Sequence, residues 1–249
     1  MPMLPPGYTF LRPAIAVALL GLLWQVVSWV FPGWPSPLIV GRVLWINAHD
    51  PSFCAALWGS ARRMAIGYTL VMAIGITGGM ILGRFPLIDQ LLGSLAVALH
   101  AIPGAAWVPL AILWFGMTER AVIFTILLGA AGIVMVSTDT GIREVPPTIS
   151  RAAKTLGAKG ARYLWFVVVP AAIPKIVDGL RLAWAFGWRA LMAGELLTSI
   201  SGLGQRLNMV AKEGRIDQLL ALMLRASYAP IHQLSSAAKH QFRVSQLPG

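Results

Sequence analysis

The sequence predicts an all-α fold, a bundle of helices that cross a membrane, and three observations predict it. Charge is scarce: 12% of the 249 residues are Asp, Glu, Lys or Arg, and 57% are hydrophobic. A soluble domain carries about 25% charge to keep its surface in water. The scarcity is also patterned, because residues 64–83, 90–118 and 121–138 contain no charged side chain. A helix crossing the hydrocarbon core needs roughly 20 mostly apolar residues, so several such runs in one short chain read as a polytopic bundle. Finally, the most basic stretch, residues 139–175, sits between two apolar runs as a connection would.

Composition narrows the function. The net charge of +11 invites a nucleic-acid reading. The basic residues, however, are scattered between apolar runs and line no single face. In a membrane protein an excess of Lys and Arg marks cytoplasmic connections, so no nucleic-acid partner is expected. The single Cys54 excludes an internal disulfide and a cysteine zinc cage. His49, His100, His232 and His240 are far apart and lack metal-ligand spacing, so no metal and no cofactor are expected. An intramembrane enzyme would need a Ser/His pair, paired Asp or a ligand set inside the spans. None is present, and the expectation is a protein without catalytic residues.

The elements follow in order. A first membrane helix is expected near 13–31, since a cleaved signal peptide would have a shorter apolar core and a small-residue cleavage site. Pro32, Pro35 and Pro37 end it. Residues 38–56 read as a short amphipathic helix at the interface. A second membrane helix is expected at 59–82, with Gly75, Gly79 and Gly83 four apart on one face where another helix can approach. Arg62 and Arg63 fall at its outer end, where long side chains can snorkel to the interface. The third span, 88–115, is expected to break at Pro103, Gly104 and Pro109. Broken backbone at membrane depth must be buried in protein or face a cavity. Pro103 and Pro109 are therefore candidates for the lining of a translocation path, with a simple kink as the plain alternative.

A fourth helix is expected at 119–138. The basic segment 139–175 follows and should be cytoplasmic, with a polar helical excursion at 145–165. Within it, Pro146 and Pro147 halt the chain, Thr148 or Ser150 can cap a new helix, and Gly157 permits a left-handed turn that ends it. Val169 and Pro170 should form a proline turn, and a fifth membrane helix is expected at 176–199. Counting back from the cytoplasmic segment puts the N-terminus in the cytoplasm too. Arg189 and Glu195 lie in the fifth helix, where charge is costly and hence suspected of function. They are six positions apart, on opposite faces, so they should not pair with each other. Glu195 is a candidate path residue, or sits at the outer interface.

The run Arg151-Ala152-Ala153-Lys154-Thr155-Leu156-Gly157, followed by Val169-Pro170, resembles the coupling-loop signature of ABC importer permeases. The family pattern begins Glu-Ala-Ala, places Gly four residues after the second Ala, and ends in an apolar-Pro pair. The spacing agrees throughout, and the departure is Arg151 in place of Glu. Ala101-Ile102-Pro103, the stretch Val108-Pro109-Leu110 to Phe115-Gly116, and Gly179-Leu180-Arg181-Leu182-Ala183 are similar to the subgroup for sulfonates, taurine, nitrate or thiamine-type precursors.

The resemblance implies a permease-type bundle of five to six transmembrane helices with a cytoplasmic coupling helix. It covers about residues 10–223 and is strongest over 55–223, which makes 1–224 the transmembrane domain. Arg151, Ala152, Ala153, Leu156, Gly157 and Pro170 are the implied coupling residues. The implied partners are two ABC ATPase subunits, which hydrolyse the ATP, a periplasmic or lipid-anchored solute-binding protein, a second permease copy and the lipid of a bacterial inner membrane. A passive channel would have no use for a projecting stub. The family adds another apolar helix after a Gly-Leu-Gly loop, here Gly202-Leu203-Gly204; in this chain it begins at 219–224 and gives way to a polar tail, 225–249. An inactive permease remnant lacking its last helix is the alternative expectation.

Overall fold

The computed structural model describes residues 11–226. Residues 227–249, with His232, His240 and nearly all of the expected polar tail, lie outside the described residues, as does the His100 side chain. The described elements are helical throughout. They are α1 (Leu11–Val30), α2 (Pro37–Ala48), α3 (Pro51–Arg84), α4 (Pro86–Ala101), a 3-10 turn (Gly104–Trp107), α5 (Val108–Phe115) and α6 (Glu119–Arg143). After these come α7 (Pro147–Thr155), α8 (Gly160–Tyr163), a π turn (Leu164–Val168), α9 (Val169–Thr198), α10 (Leu203–Lys212) and α11, residues 216–226.

Among the described residues, three helices are long and apolar enough to cross a bilayer: Pro51–Arg84, Glu119–Arg143 and the continuous run Gly160–Thr198. The α4–α5 pair, sharply bent at its break, is a fourth candidate, and Ala14–Val30 is a shorter apolar helix. These five segments fall near the five expected places, but only three, or four with the bent pair, are long and apolar enough to span, and the last begins at Gly160, inside the stretch expected to be a polar connection.

The described chain forms two compact units, 11–54 with 207–226, and 55–206. In the first, the Trp24 indole donates to the Pro35 carbonyl at 3.1 Å, tying α1 to the start of α2. The Arg225 guanidinium lies 4.9 Å from the centre of the Phe53 ring.

In the second unit α6 and α9 pack along one another and form the core. Val122, Ile126 and Val134 of α6 and Ala183, Ala190 and Leu191 of α9 have no more than 1% of their surface exposed. The α3 glycines lie against α6, as their spacing predicts. A Cβ at Gly75 would fall 2.6 Å from Val134 Cβ, and one at Gly79 would fall 2.5 Å from the Met135 carbonyl. Only a residue without a side chain allows that approach.

Several boundaries differ from the expectations, each for a local reason. Residues 38–56 are not one interfacial helix. Asp50 accepts from the Ser52 amide at 3.0 Å and Pro51 follows it, so a new helix starts there and α3 begins eight residues before position 59. α6 continues past 138 to Arg143 because its polar end is satisfied. Arg143 binds Asp139 one turn back at 2.7 Å, Asp89 at 2.8 Å and the Leu82 carbonyl at 3.1 Å. Thr148 and Ser150 do not cap α7: the capping position is Pro146, with no side-chain bond, and the Ser150 hydroxyl instead accepts from Tyr163 at 2.8 Å.

Val169 and Pro170 form no turn. They lie at the start of α9, and Pro174 lies within it. The π turn 164–168 immediately precedes Pro170, with the Val169 amide bonded five residues back to Leu164. A proline lacks its own amide and crowds the carbonyl four residues earlier, and the wider π turn makes room without ending the helix.

Candidate functional site

Two constructions carry chemistry beyond packing, and both begin with residues that the apolar background makes conspicuous. The first is the stub α7. It starts where Pro146 and Pro147 stop α6 from continuing, and it ends in a Schellman motif. Gly157 has φ +84°. Its amide donates to the Lys154 carbonyl at 3.0 Å, and the Ala158 amide donates to Ala153 at 3.0 Å. That 5→2 and 6→1 pair closes the helix and requires the left-handed residue at Gly157. The Tyr163–Ser150 bond and the Lys154 ammonium, 5.9 Å from the Tyr163 ring centre, hold the stub to the following helix.

The outer surface of α7 is unlike that of a solvated helix. Ile149, Ala152 and Leu156 fall at i, i+3 and i+7, on one face. Ile149 is 45% exposed and Leu156 is 88% exposed. Arg151 and Ala152 are exposed and Ala153 is half-buried. Arg151 donates within its own helix, to the Pro147 carbonyl at 3.3 Å. Its charge makes no ion pair among the described residues. Pro170 is exposed two residues beyond the π turn.

The second construction is an ionic clamp. Arg63 of α3 is 2% exposed and Glu195 of α9 has no exposed surface. Arg63 therefore does not snorkel. Its Nε and Nη2 both donate to Glu195 Oε1, at 3.0 and 2.7 Å. Glu195 Oε2 accepts from the Ser60 hydroxyl at 2.8 Å and the Gly204 amide at 2.9 Å. Ser60 in turn accepts from the Leu203 amide at 2.9 Å. Arg63 also reaches the Ser201 carbonyl at 2.6 Å and, through Nη1, Glu119 at the start of α6 at 3.0 Å. Arg62, half exposed, completes the set on Glu119. A buried charge is tolerable only when its partners are this complete.

The clamp explains the Gly-Leu-Gly sequence. A Cβ at Gly202 would run into the Glu195 carboxylate. One at Gly204 would sit 2.6 Å from the Met192 carbonyl. The loop backbone must lie directly on the ion pair to donate to it, and a side chain at either position would lift it off.

The expected separation of Arg189 and Glu195 is what the structure shows. Arg189 is exposed, with its guanidinium 5.2 Å from the Phe186 ring centre, while Glu195 points into the clamp. The sequence reading missed Arg63 as Glu195's partner. Ser60 and Arg63, two polar residues at i and i+3 in an apolar helix, were the available signal.

The broken span lies against the core. Ideal Cβ positions at Gly104 and Gly129 would each fall 3.0 Å from Ala190 Cβ, so the break is seated on the α6–α9 pair through three small residues. Pro103 and Pro109 face outward from the unit. Among the described residues, no three His, Cys, Asp or Glu side chains are grouped to hold a metal.

Long apolar helices with a short amphipathic helix standing off them define a multi-pass membrane protein. The sequence pattern of the family described as "Binding-protein-dependent transport system inner membrane component" matches residues 75–231, and the chain belongs to that family. It is 31% identical over 191 residues to the taurine transport system permease protein of Escherichia coli, covering 75% of this chain and 70% of that one. It is 28% identical over 204 residues to the nitrate import permease protein of a Synechocystis strain, covering 78% and 74%. An ABC transporter permease protein of Methanocaldococcus jannaschii is 37% identical over 166 residues, 66% of this chain; the match spans under two thirds of that protein, 62%.

Solved structures share the fold. An amino acid ABC transporter crystallised with histidines superposes with TM-score 0.67 at 16% identity, over 81% of this chain and 98% of that one. The inward-facing MetNI methionine ABC transporter gives 0.59 at 16% identity, over 74% and 95%.

Proposed function

We propose that this permease subunit imports a small solute, and that α7 is the element through which ATP hydrolysis reaches the membrane helices. One observation carries the reading. α7 projects an apolar face, Ile149, Ala152 and Leu156, from a loop too basic to cross a membrane. An exposed apolar face on a short, well-terminated helix is a docking surface. An ATPase subunit closing on nucleotide would push on that face. The push would pass through the Tyr163–Ser150 bond into the continuous helix Gly160–Thr198. Arg151, Ala152, Ala153, Leu156 and Gly157 form or shape the contact, and Pro170 shapes the helix that receives it.

On this reading residues 143–175 and the N-terminus are cytoplasmic. Two permease copies enclose the path, two ATPase subunits dock below, and a solute-binding protein delivers the solute from outside. Pro103 and Pro109, exposed at the break, line the path. Glu195 acts from behind it, holding the interior of α3, the start of α6, the end of α9 and the loop 199–204 together through the clamp. The solute is of the alkanesulfonate, taurine, nitrate or thiamine-precursor kind; taurine and nitrate stand in the names of relatives.

The test is co-purification of the tagged chain with a co-expressed ABC ATPase subunit from the same source, followed by reconstitution with a solute-binding protein. ATP hydrolysis stimulated by the loaded binding protein is expected. A chain that retains no ATPase subunit in mild detergent overturns the reading.

A further inference from the structure

The exposed face of α9 holds one charge that neither the fold nor the clamp uses. Leu182, Phe186, Arg189, Ala193 and Leu196 recur at three- and four-residue intervals, so they share one side of the helix. Leu182 is 52% and Leu196 38% exposed; Arg189 is exposed, and Phe186 and Ala193 are half-buried. The opposite side, with Ala183, Gly187, Ala190, Leu191 and Glu195, is buried.

The depth of Arg189 follows from its neighbour. Ala190 packs on Gly129, which is ten residues from the start of α6 and fourteen from its end. Arg189 therefore stands near the middle of the span, at the level of the break in the α4–α5 segment. No carboxylate among the described residues pairs with it, and its contact is the Phe186 ring.

A guanidinium in mid-membrane is expensive against lipid and is found facing a bundle interior or a water-filled cavity. Leu182 and Leu196, more than a turn away on either side, offer no route by which it could reach an interface. The stripe is thus an apolar wall with a single cation at its centre, beside a break that already needs a non-lipid environment.

We infer that Arg189 faces the translocation path and is the residue that attracts the anionic group of the solute. The inference rests on the permease reading above and gives it a residue. A guanidinium offers a planar fork of donors that suits sulfonate, nitrate or carboxylate oxygens. The Phe186 ring beside it orients the fork without neutralising it. An unpaired cation in a narrow low-dielectric passage also raises the local anion concentration and repels cations.

The experiment needs no knowledge of the solute. Cys54 is replaced by Ser, and Ala193→Cys places a thiol one turn from Arg189 on the same face. The full chain, reconstituted with its ATPase subunit, is treated with an anionic and a cationic methanethiosulfonate of similar size. Rates are normalised to those of a free thiol. The anionic reagent should react faster by roughly fivefold to tenfold, the effect of one nearby unscreened charge. In Arg189→Gln the ratio should fall to near one, whereas Arg189→Lys should keep most of it. A second reporter, Phe186→Cys, covers the case in which the Ala193 variant fails to assemble.

Absence of reaction with either reagent at both positions would place this face against lipid or the second copy and overturn the inference. So would a charge preference unchanged by Arg189→Gln. Loss of ATPase association with the preference intact would sink the permease reading and leave the anion path standing.

Discussion

Arg63 and Glu195 are 132 positions apart in the chain and meet at 2.7 Å, both removed from solvent. The pair is the hub of a network that also takes in Ser60, Glu119, Ser201, Leu203 and Gly204. It fastens the interior of α3, the start of α6, the end of α9 and the loop 199–204 at a single point.

Removing one partner should be worse than removing both. Arg63→Met leaves Glu195 as a buried, uncompensated charge, with an expected loss of about 3–5 kcal/mol; Glu195→Leu should cost less, because Arg63 keeps Glu119. The double replacement should recover a large share of that, because no charge is then stranded. Unfolding by denaturing detergent, read as a double-mutant cycle, measures the coupling. Additive losses would mean that the two charges do not depend on one another.

Gly157→Val should abolish transport while the protein stays inserted and dimeric. A β-branched residue at φ +84° is strained, at a cost on the order of 1–3 kcal/mol. The Schellman closure would open and α7 would leave in another direction. Ala153→Asp should act similarly by charging the docking surface. Uptake and ATP hydrolysis in reconstituted vesicles are the readouts. Normal uptake in both variants would show that α7 is not the coupling element.

Gly79→Leu should damage assembly of the helix bundle itself. Even a Cβ there would fall 2.5 Å from the Met135 carbonyl and from Thr138 Cβ, both fixed in α6. Overpacking of this kind costs roughly 1–3 kcal/mol and often more when backbone is the obstacle. Gly41, an exposed glycine inside α2 with nothing within 4 Å of an added Cβ, provides a contrast. Gly41→Ala should leave detergent resistance nearly unchanged, whereas Gly79→Leu should lower it. Equal behaviour of the two would contradict the close α3–α6 approach.

Topology has a direct measurement. With Cys54 replaced, a cysteine at Lys159 should resist membrane-impermeant thiol reagents in intact cells and react once the membrane is opened. Lys159 is exposed, so silence in intact cells would reflect its side of the membrane and not burial. Ready labelling in intact cells would invert the arrangement.

Much of this architecture depends on local information, which is why it could be read in one dimension. Hydrocarbon admits only backbone that satisfies itself, so the charge-free runs had to be helices. Pro103 and Gly104 had to interrupt one of them, and Gly157 had to end α7, because amide loss and positive φ are properties of single residues. The glycine face of α3 is a matter of spacing alone.

What the tertiary structure decided is whatever depends on two distant residues at once. Taken singly, Arg63 is a long cation near a helix end, and snorkelling is its cheapest course. Against Glu195 and Glu119 it is cheaper still to bury it. In the same way Arg143, given Asp89 and the Leu82 carbonyl, lets α6 continue where its sequence alone suggested a stop. The partner of a charge, and so the side of the energy balance on which it falls, is set by the packing of helices that the chain brings together from far apart.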